Sequence, residues 1–288
     1  MNVRDLFFER YRYKDDEYGF NLEAYVKAEI LFRFLYEKWF DVQIVGLENI
    51  PADGRAVLFG NHSGVLPLDA FMLYEGMINH HPDPRRIRFL VTKFLLDAPE
   101  IGGMLRGFGC VPAGFEIAVK LLQNEELVFF YPEAEKGPGK LFKDRYNLVD
   151  FHSGFVTSAI KTNSVLVPIA TVGGEETYPM LANIKPLARL MNAPYWPVTP
   201  LYPWLPFPLN AIPLPIKMLI CIGKPFTLDH PQEKAEDEEL VLGITNEIQR
   251  TFQNNLKELL KLRKSPFHQW DMEKVTTALS QVNERESV

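Results

Sequence analysis

Short apolar runs of strand length alternate with segments of helical periodicity along this chain, and this alternation limits the folds open to it. Strand-length runs lie at 42–45, 56–59, 88–92, 126–131, 165–172 and 217–222, and helical segments lie at 22–40, 68–78, 99–108, 115–122, 155–162 and 233–262. Strands that alternate with helices form layered α/β folds. The sequence therefore predicts an α/β fold with a central mixed or parallel sheet flanked by helices.

The length and composition are those of one large domain with helical additions. The chain has 288 residues, of which 47% are hydrophobic, which is enough for a sizeable core. We divide it into an N-terminal helical segment (1–40), a central domain (41–228) and a C-terminal helical tail (229–288). The charged amphipathic helix region at 233–262 is expected to be a solvated C-terminal helix, and roughly the last 20 residues are expected to fray.

The charge and the cysteine content argue against several classes of function. The formal net charge of −6 argues against general nucleic-acid binding, which requires a basic footprint. Cys110 and Cys221 do not form a disulfide framework or a zinc site, and no histidine or carboxylate pattern has metal-ligand spacing. We expect no metal and no cofactor.

Two apolar segments bear on membrane association. The N-terminal residues lack the apolar core of a secretory signal, and no run reaches the ~18–20 apolar residues of a spanning helix. The segment 193–215 contains eight prolines and five aromatic residues, and Trp and Tyr side chains favour membrane interfaces. A packed surface loop explains this composition equally well, and for the helix at 22–40 core packing is favoured over a membrane-facing surface. We expect a peripheral protein on the cytoplasmic face of a membrane.

A histidine follows the predicted strand at 56–59. The run Gly60-Asn61-His62 ends that strand, and Asp69 follows His62 by seven positions. Open α/β sheets build their sites at the carboxyl ends of strands. A histidine held by an aspartate can accept a proton from an alcohol. A histidine in this place is also commonly a packed residue, so the pair alone does not establish catalysis.

A second polar cluster follows the predicted strand at 126–131. It reads Tyr-Pro-Glu-Ala-Glu-Lys-Gly over residues 131–137 and contains Glu133. Two polar clusters that each lie at the exit of a strand favour one shared cleft. Together they favour a catalytic role for His62.

Four blocks then occur in a fixed order, at 60–69, 93–109, 131–133 and 165–169. This order and spacing resemble the phospholipid and glycerol acyltransferase family, which includes lysophosphatidic acid acyltransferases. The resemblance covers roughly residues 40–226. It implies the layered fold of the glycerolipid acyltransferases, with 41–228 as the acyltransferase domain.

Two further blocks look like one subgroup of that family. They are Phe-Lys-Asp-Arg-Tyr at 142–146 and Phe-His-Ser-Gly-Phe at 151–155. Both are similar to relatives of the diacylglycerol acyltransferases.

The resemblance implies acyl transfer from a thioester, either acyl-CoA or acyl-carrier protein, to a lipid hydroxyl. His62 would be the general base and Asp69 would orient its ring. The family has four residues between the two, which would put Pro67 at the aspartate position, and here the carboxylate comes two residues later. The oxyanion donors would be backbone N–H groups of the turn, at Gly60, Asn61, Ser63 and Gly64.

The third block departs from the family pattern at the acceptor-binding positions. The family sequence Phe-Pro-Glu-Gly-Thr-Arg reads Tyr-Pro-Glu-Ala-Glu-Lys here, so Glu133 carries over and Lys136 replaces the arginine. Lys lacks the bidentate fork that suits a phosphate, and Glu135 adds negative charge. We therefore expect a neutral or zwitterionic acceptor, within the range of lysophospholipids and acylglycerols.

Other cations are candidates for contacts to a headgroup or to the phosphates of the acyl carrier. They are Lys93, Arg106, Lys140 and Arg145. For each of them, a solvated surface charge is the competing interpretation.

Two other functions stay open at this point. A serine hydrolase would use Ser63, but the flanking sequence lacks the two framing glycines of a nucleophile elbow. A lipid-binding protein without catalysis would explain the altered third block.

Overall fold

A computed structural model describes residues 2–14, 16–62, 64–99, 101–191, 193 and 195–285, with side chains through Leu279. The helices are α1 (Val3–Tyr11), α2 (Leu22–Phe34), α3 (Leu68–His80), α4 (Lys93–Leu96), α5 (Ile101–Gly107), α6 (Phe115–Gln123), α7 (Gly154–Thr162), α8 (Lys185–Leu190), α9 (Glu238–Lys261) and α10 (Met272–Arg285). The strands are β1 (Gln43–Val45), β2 (Ala56–Gly60), β3 (Ile87–Val91), β4 (Val111–Pro112), β5 (Leu127–Phe130), β6 (Val165–Val172), β7 (Ala182–Asn183), β8 (Pro197–Val198) and β9 (Leu219–Ile222). The predicted alternation of strands and helices is confirmed.

The main sheet is mixed, as the sequence predicts. Within the described residues it has seven strands in the order β1-β9-β6-β2-β5-β3-β4. The five strands from β6 to β4 are parallel, whereas β9 runs antiparallel to β6 and parallel to β1. Because β6, β2 and β5 are parallel neighbours, their carboxyl ends lie side by side, where α/β sheets build their sites.

Helices cover both faces of the sheet, which explains why its central strands are apolar throughout. All five residues of β2 are buried. Leu58 packs into a core with α1, α2, α3 and α5, and Phe59 packs into a core with α6, α7 and α9. The strand exits are therefore set on a rigid, close-packed base.

The helix α9 packs one face against the sheet, so the expectation of a solvated helix at 233–262 holds only for its other, charged face. Its buried face includes Phe252, whose ring centroid lies 5.8 Å from that of Phe59. The amphipathic pattern of this segment is confirmed, because its apolar stripe is the buried face.

The expected fraying of the last residues is wrong for 272–285, which form α10, and residues 286–288 lie outside the described part of the chain. Trp270 and Val275 are buried in the same core as α9. Tertiary packing stabilises this short, polar helix where its own sequence would not.

The predicted helix at 22–40 is confirmed through Trp39, and it has two apolar faces. α2 ends at Phe34, and a π-helical turn continues to Trp39. Tyr25 and Phe32 are buried in the core, whereas Ile30 is 85% exposed. Core packing is confirmed for one face only.

The proline-rich segment 193–215 is largely irregular, as eight prolines require, and includes β8. Pro194 lies outside the described residues. Phe207 and Trp204 are exposed. In the part of the chain that the structure describes, no helix combines the length and the hydropathy needed to cross a bilayer.

Candidate active site

Polar side chains from three neighbouring strand exits meet at one place. His62 follows β2, Tyr131 and Glu133 follow β5, and Glu175 follows β6. The sequence predicts that the residues after β2 and those after β5 share one cleft. The sheet order agrees with this prediction, because β5 is the direct neighbour of β2. β6 adds a third exit on the other side of β2.

Tyr131 contacts both members of the predicted His–Asp pair. Its ring stacks on the His62 imidazole, with centroids 4.1 Å apart and planes inclined by 24°. Its hydroxyl donates to Asp69 Oδ2 at 3.0 Å. Burial, with Asp69 beside it, raises the pKa of the Tyr131 phenol well above its usual range, so the phenol stays protonated and acts as the donor. The structure thus brings His62 and Asp69 to the same tyrosine.

Asp69 reaches this position because α3 begins beside it. It is the second residue of α3 and is buried. A carboxylate in the first turn of a helix is favoured by the partial positive charge of the helix N-terminus.

Glu133 holds the backbone at His62. It is 0% exposed, and its Oε1 accepts the backbone N–H of His62 at 3.1 Å. Its Oε2 accepts the backbone N–H of Val149 at 3.0 Å and the ammonium of Lys140 at 3.0 Å. This burial does not fit the expected direct contact with an acceptor. It favours a role in fixing the backbone at His62, which we call the histidine turn.

Lys140 joins Glu133 to a second buried carboxylate. Its side chain is 7% exposed and its Nζ lies 3.4 Å from Glu175 Oε1. Both Glu175 oxygens also accept the backbone N–H of Tyr146 at 3.2 Å. Burial, with the nearby Glu133 charge, raises the pKa of Glu175 to about 7, although Lys140 opposes this rise. We call Glu133, Lys140 and Glu175 the buried triad.

The raised pKa of Glu175 predicts a pH-dependent stability. The folded state favours the protonated form, so this stabilisation is complete below the ordinary value of 4.5 and is lost as the pH rises through about 7. Glu175→Gln cannot titrate. The difference in free energy of unfolding between wild type and variant should therefore fall by about 2–3 kcal/mol from about pH 5 to pH 8.

Urea unfolding at both pH values measures this difference. The exposed neighbour of the site, Glu135→Gln, is the matched control and should follow the wild type. Parallel pH curves for wild type and Glu175→Gln would contradict the assignment.

Two of the expected oxyanion positions have structural roles. The Asn61 side chain bridges β2 to β6, because its Nδ2 donates to the Thr171 carbonyl at 2.9 Å and its Oδ1 accepts the Thr171 N–H at 2.8 Å. A Cβ at Gly60 would lie 2.3 Å from the Ile169 carbonyl oxygen, so this close strand approach requires glycine.

The expected donors are backbone N–H groups, which these side-chain roles do not test, and Ser63 lies outside the described residues. Gly64 lies against the backbone of Glu175. The N–H of His62 is already bound by Glu133. The assignment of backbone oxyanion donors stays a prediction.

Gly137, in the polar cluster that follows β5, packs directly against His62. A Cβ there would lie 2.9 Å from the Cβ atoms of both Glu133 and His62. Glycine at this position lets the two strand exits approach each other.

Two of the predicted headgroup contacts are solvent-exposed. Lys93 begins α4, and Lys136 lies in the turn that follows Glu133. Both side chains are exposed. Whether they meet a substrate stays a prediction.

The two predicted arginines have protein partners. Arg106, in α5, lies 3.4 Å from Asp97. Arg145 stacks over the Phe142 ring and lies 3.7 Å from Glu176. Neither set of contacts involves His62, Asp69 or Tyr131.

Sequence reasoning missed the exit of β6. The run Gly173-Gly174-Glu175-Glu176 follows this strand, and Tyr146 binds it by donating its hydroxyl to Glu176 Oε2 at 3.0 Å. The signal was available, because a predicted strand followed by two glycines and two glutamates has the same pattern as the other two exits. Among the described residues, no group of three His, Cys, Asp or Glu side chains is arranged to hold a metal ion.

A model of the acyltransferase family matches residues 41–172, the stretch from the start of the central domain to the end of β6. An uncharacterised protein of Mycobacterium tuberculosis H37Rv is 41% identical over 260 residues, which are 88% of this chain and 72% of that protein. An uncharacterised protein of Mycobacterium leprae is 40% identical over 260 residues, which are 88% of this chain and 70% of that one.

More distant relatives have a described activity. The human DGAT1/2-independent enzyme synthesizing storage lipids is 24% identical over 200 residues, which are 69% of this chain and 57% of that enzyme. The crystal structure of PlsC, the 1-acyl-sn-glycerophosphate acyltransferase of Thermotoga maritima, has the same fold. Its TM-score is 0.53 at 18% identity, over 85% of this chain and 80% of that one. The chain belongs to the phospholipid and glycerol acyltransferase family, and the enzyme it forms is an acyltransferase.

Proposed function

We propose that this enzyme transfers a fatty acyl group from a thioester, acyl-CoA or acyl-carrier protein, to a lipid hydroxyl, with His62 as general base. One observation carries the proposal: at the carboxyl end of β2, Tyr131 stacks on the His62 ring and donates a hydrogen bond to Asp69. The family membership supplies the reaction class.

The chemistry follows from an imidazole beside a carboxylate. A neutral His62 takes the proton of the acceptor hydroxyl as its oxygen attacks the thioester carbonyl. The new C–O bond forms, the C–S bond breaks, and the imidazolium returns the proton to the departing sulfur. Asp69 stabilises the imidazolium in between. A thioester is already activated, so no covalent acyl-enzyme is required.

The charges around the site support an acceptor without a phosphate. The buried cation of the triad, Lys140, is already neutralised by Glu133 and Glu175, so it does not favour a phosphate. Lys136 is exposed and lacks the bidentate geometry of an arginine. An acylglycerol or alcohol hydroxyl suits this environment better than lysophosphatidate does.

Acyl transfer to a panel of acceptors tests this proposal. Palmitoyl-CoA is offered with monoacylglycerol, diacylglycerol, a long-chain alcohol or lysophosphatidate, and the acylated product is quantified. We expect the uncharged acceptors to be preferred. A preference for lysophosphatidate would refute the assignment of the acceptor class.

We also propose that the enzyme binds lipid surfaces through one continuous apolar surface. Ile30 and Phe34 are exposed on α2, and the Phe34 ring lies 6.0 Å from that of Trp39. Trp39 Nε1–H donates to the Pro213 carbonyl at 3.0 Å, which joins the π-helical turn after α2 to the proline-rich segment. Phe207 in that segment is 82% exposed. We call the exposed side chains Ile30, Phe34 and Phe207 the α2–proline surface. This surface is apolar and aromatic over two elements, which is typical of a membrane interface.

This segment also reaches the histidine turn. The Tyr195 hydroxyl donates to the Val65 carbonyl at 2.8 Å. The proline-rich segment thus contacts the chain three residues after His62, which suits a lipid acceptor.

Ile30→Glu and Phe207→Glu should each weaken binding to phosphatidylcholine vesicles by about ten-fold, because each places a charge where an apolar side chain enters the lipid. Co-sedimentation measures the bound fraction. Leu242→Glu, at an exposed position of α9 on the opposite side of the sheet, is the matched control. Equal loss in all three variants, or no loss in any, would reject this surface.

A further inference from the structure

Tyr131 departs from the family sequence at a point where the structure gives its hydroxyl a partner. The third block has phenylalanine in the family pattern, and here the phenol donates to Asp69 Oδ2 at 3.0 Å. The same ring stacks on His62 with centroids 4.1 Å apart. Tyr131, which follows β5, therefore contacts both His62, which follows β2, and Asp69 in α3.

The ring of Tyr131 is itself held in place. Its centroid lies 4.7 Å from that of Phe129, which lies 5.1 Å from that of Phe89 on the next strand. This aromatic row fixes the plane on which the imidazole rests. Aromatic rings held in this way limit the rotation of a stacked partner.

The spacing between the histidine and the aspartate gives this contact a purpose. Six residues separate His62 from Asp69, against four in the family pattern, and the longer turn constrains the pair less. We propose that Tyr131 is a positioning residue that sets the geometry of the His62–Asp69 pair, its ring fixing the imidazole plane and its hydroxyl fixing the Asp69 carboxylate. This proposal rests on the proposed function.

The hydroxyl also affects the charge of the pair. A carboxylate that accepts a hydrogen bond has part of its negative charge satisfied, so it stabilises a neighbouring imidazolium less. Removal of the phenol should therefore make His62 easier to protonate. The other titratable groups around the ring and the phenol are Glu133, which binds the His62 backbone N–H, and the thiol of Cys110, whose pKa is raised to about 12 by burial. Lys140 and Glu175 lie behind Glu133.

Tyr131→Phe keeps the ring and removes the hydrogen bond, so it separates the two contributions. We expect kcat to fall about 10–100-fold, the usual effect of losing a hydrogen bond to a charged group, while KM stays within about two-fold. The acid limb of the pH profile of kcat/KM should move to higher pH. Tyr131→Leu, which also loses the ring stack, should lower kcat further.

Tyr25→Phe is the matched control. In the wild type, the Tyr25 hydroxyl donates to Glu75 Oε2 at 2.8 Å. This is another buried tyrosine–carboxylate hydrogen bond, and it lies away from His62. It should leave kcat and the pH profile unchanged.

A titration of the His62 ring by NMR gives a readout that does not require turnover. Its resonance is assigned with His62→Gln. In Tyr131→Phe the ring should titrate at higher pH than in wild type, and in Tyr25→Phe it should not move. An unmoved titration together with an unchanged kcat would overturn the proposal. A rise in KM alone would also overturn it, because it would mean that the phenol touches the acceptor. Should the wild type show no acyl transfer, the proposed function fails, and the NMR titration still decides the role of Tyr131.

Discussion

His62→Ala is expected to lower kcat for acyl transfer by about 10²–10⁴-fold, the contribution of a well-placed general base. The side chain is only half-buried and is stacked on one face by Tyr131, so we expect its removal to leave the fold intact. Steady-state release of thiol from palmitoyl-CoA in the presence of acceptor measures the loss. Asp69→Asn should reduce kcat less, since it leaves the base in place but weakens the support of the imidazolium.

The control for this variant is His152→Ala. His152 is exposed and its backbone N–H, which alanine retains, donates to the Pro132 carbonyl at 2.9 Å. It should have wild-type kcat. Normal turnover by His62→Ala would refute the proposed mechanism.

Lys140→Met is expected to destabilise the fold by about 3–5 kcal/mol at pH 8, because removal of one partner leaves buried charge uncompensated. Glu133 would keep two backbone N–H donors but lose its counterion, and Glu175 would lose its cation. The effect should be smaller near pH 5, since the raised pKa of Glu175, about 7, lets this carboxyl take up a proton there. Urea unfolding at the two pH values measures both quantities.

Lys136→Met is the matched control for Lys140→Met. This lysine lies four residues earlier and is exposed, so its replacement should change the free energy of unfolding by no more than about 0.5 kcal/mol. Equal effects of the two substitutions would contradict the buried triad. Because Glu133 also holds the His62 backbone, we expect Lys140→Met to lower kcat as well.

The strands that carry the site are readable from the sequence because they are buried on both faces. The apolar run at 56–59 predicts β2, and the polar residues that follow it identify His62 and Asp69 as a candidate pair. The run at 126–131 similarly predicts β5 and the cluster with Glu133. Local pattern is sufficient here, since a strand exit is a local feature.

The order of the strands and the partners of the side chains are not local features. Nothing near Tyr131 in the sequence indicates that its hydroxyl meets Asp69, 62 residues earlier. Lys140 similarly reads as a surface lysine until the fold places it between two carboxylates. The sequence also points to Glu133, but as a contact to the acceptor, whereas the fold buries this residue against the His62 backbone.

The C-terminal helices were misjudged for a related reason. α9 presents a charged face to solvent, and its buried residues are spread over a long helix. Helices of this kind gain their stability from the surface on which they pack. That surface is the sheet, which lies far away in sequence.

Acceptor-dependent acyl transfer by the wild-type enzyme is the most direct test of this account. Purified protein is given palmitoyl-CoA, and thiol release and ester product are followed with and without monoacylglycerol, with acyl-carrier-protein thioester as a second donor. We predict thiol release that requires the acceptor, matches the ester formed and is lost in His62→Ala. Release that does not need an acceptor would identify a thioesterase, and no release from either donor would identify a lipid-binding protein without this catalysis; both results would contradict the account.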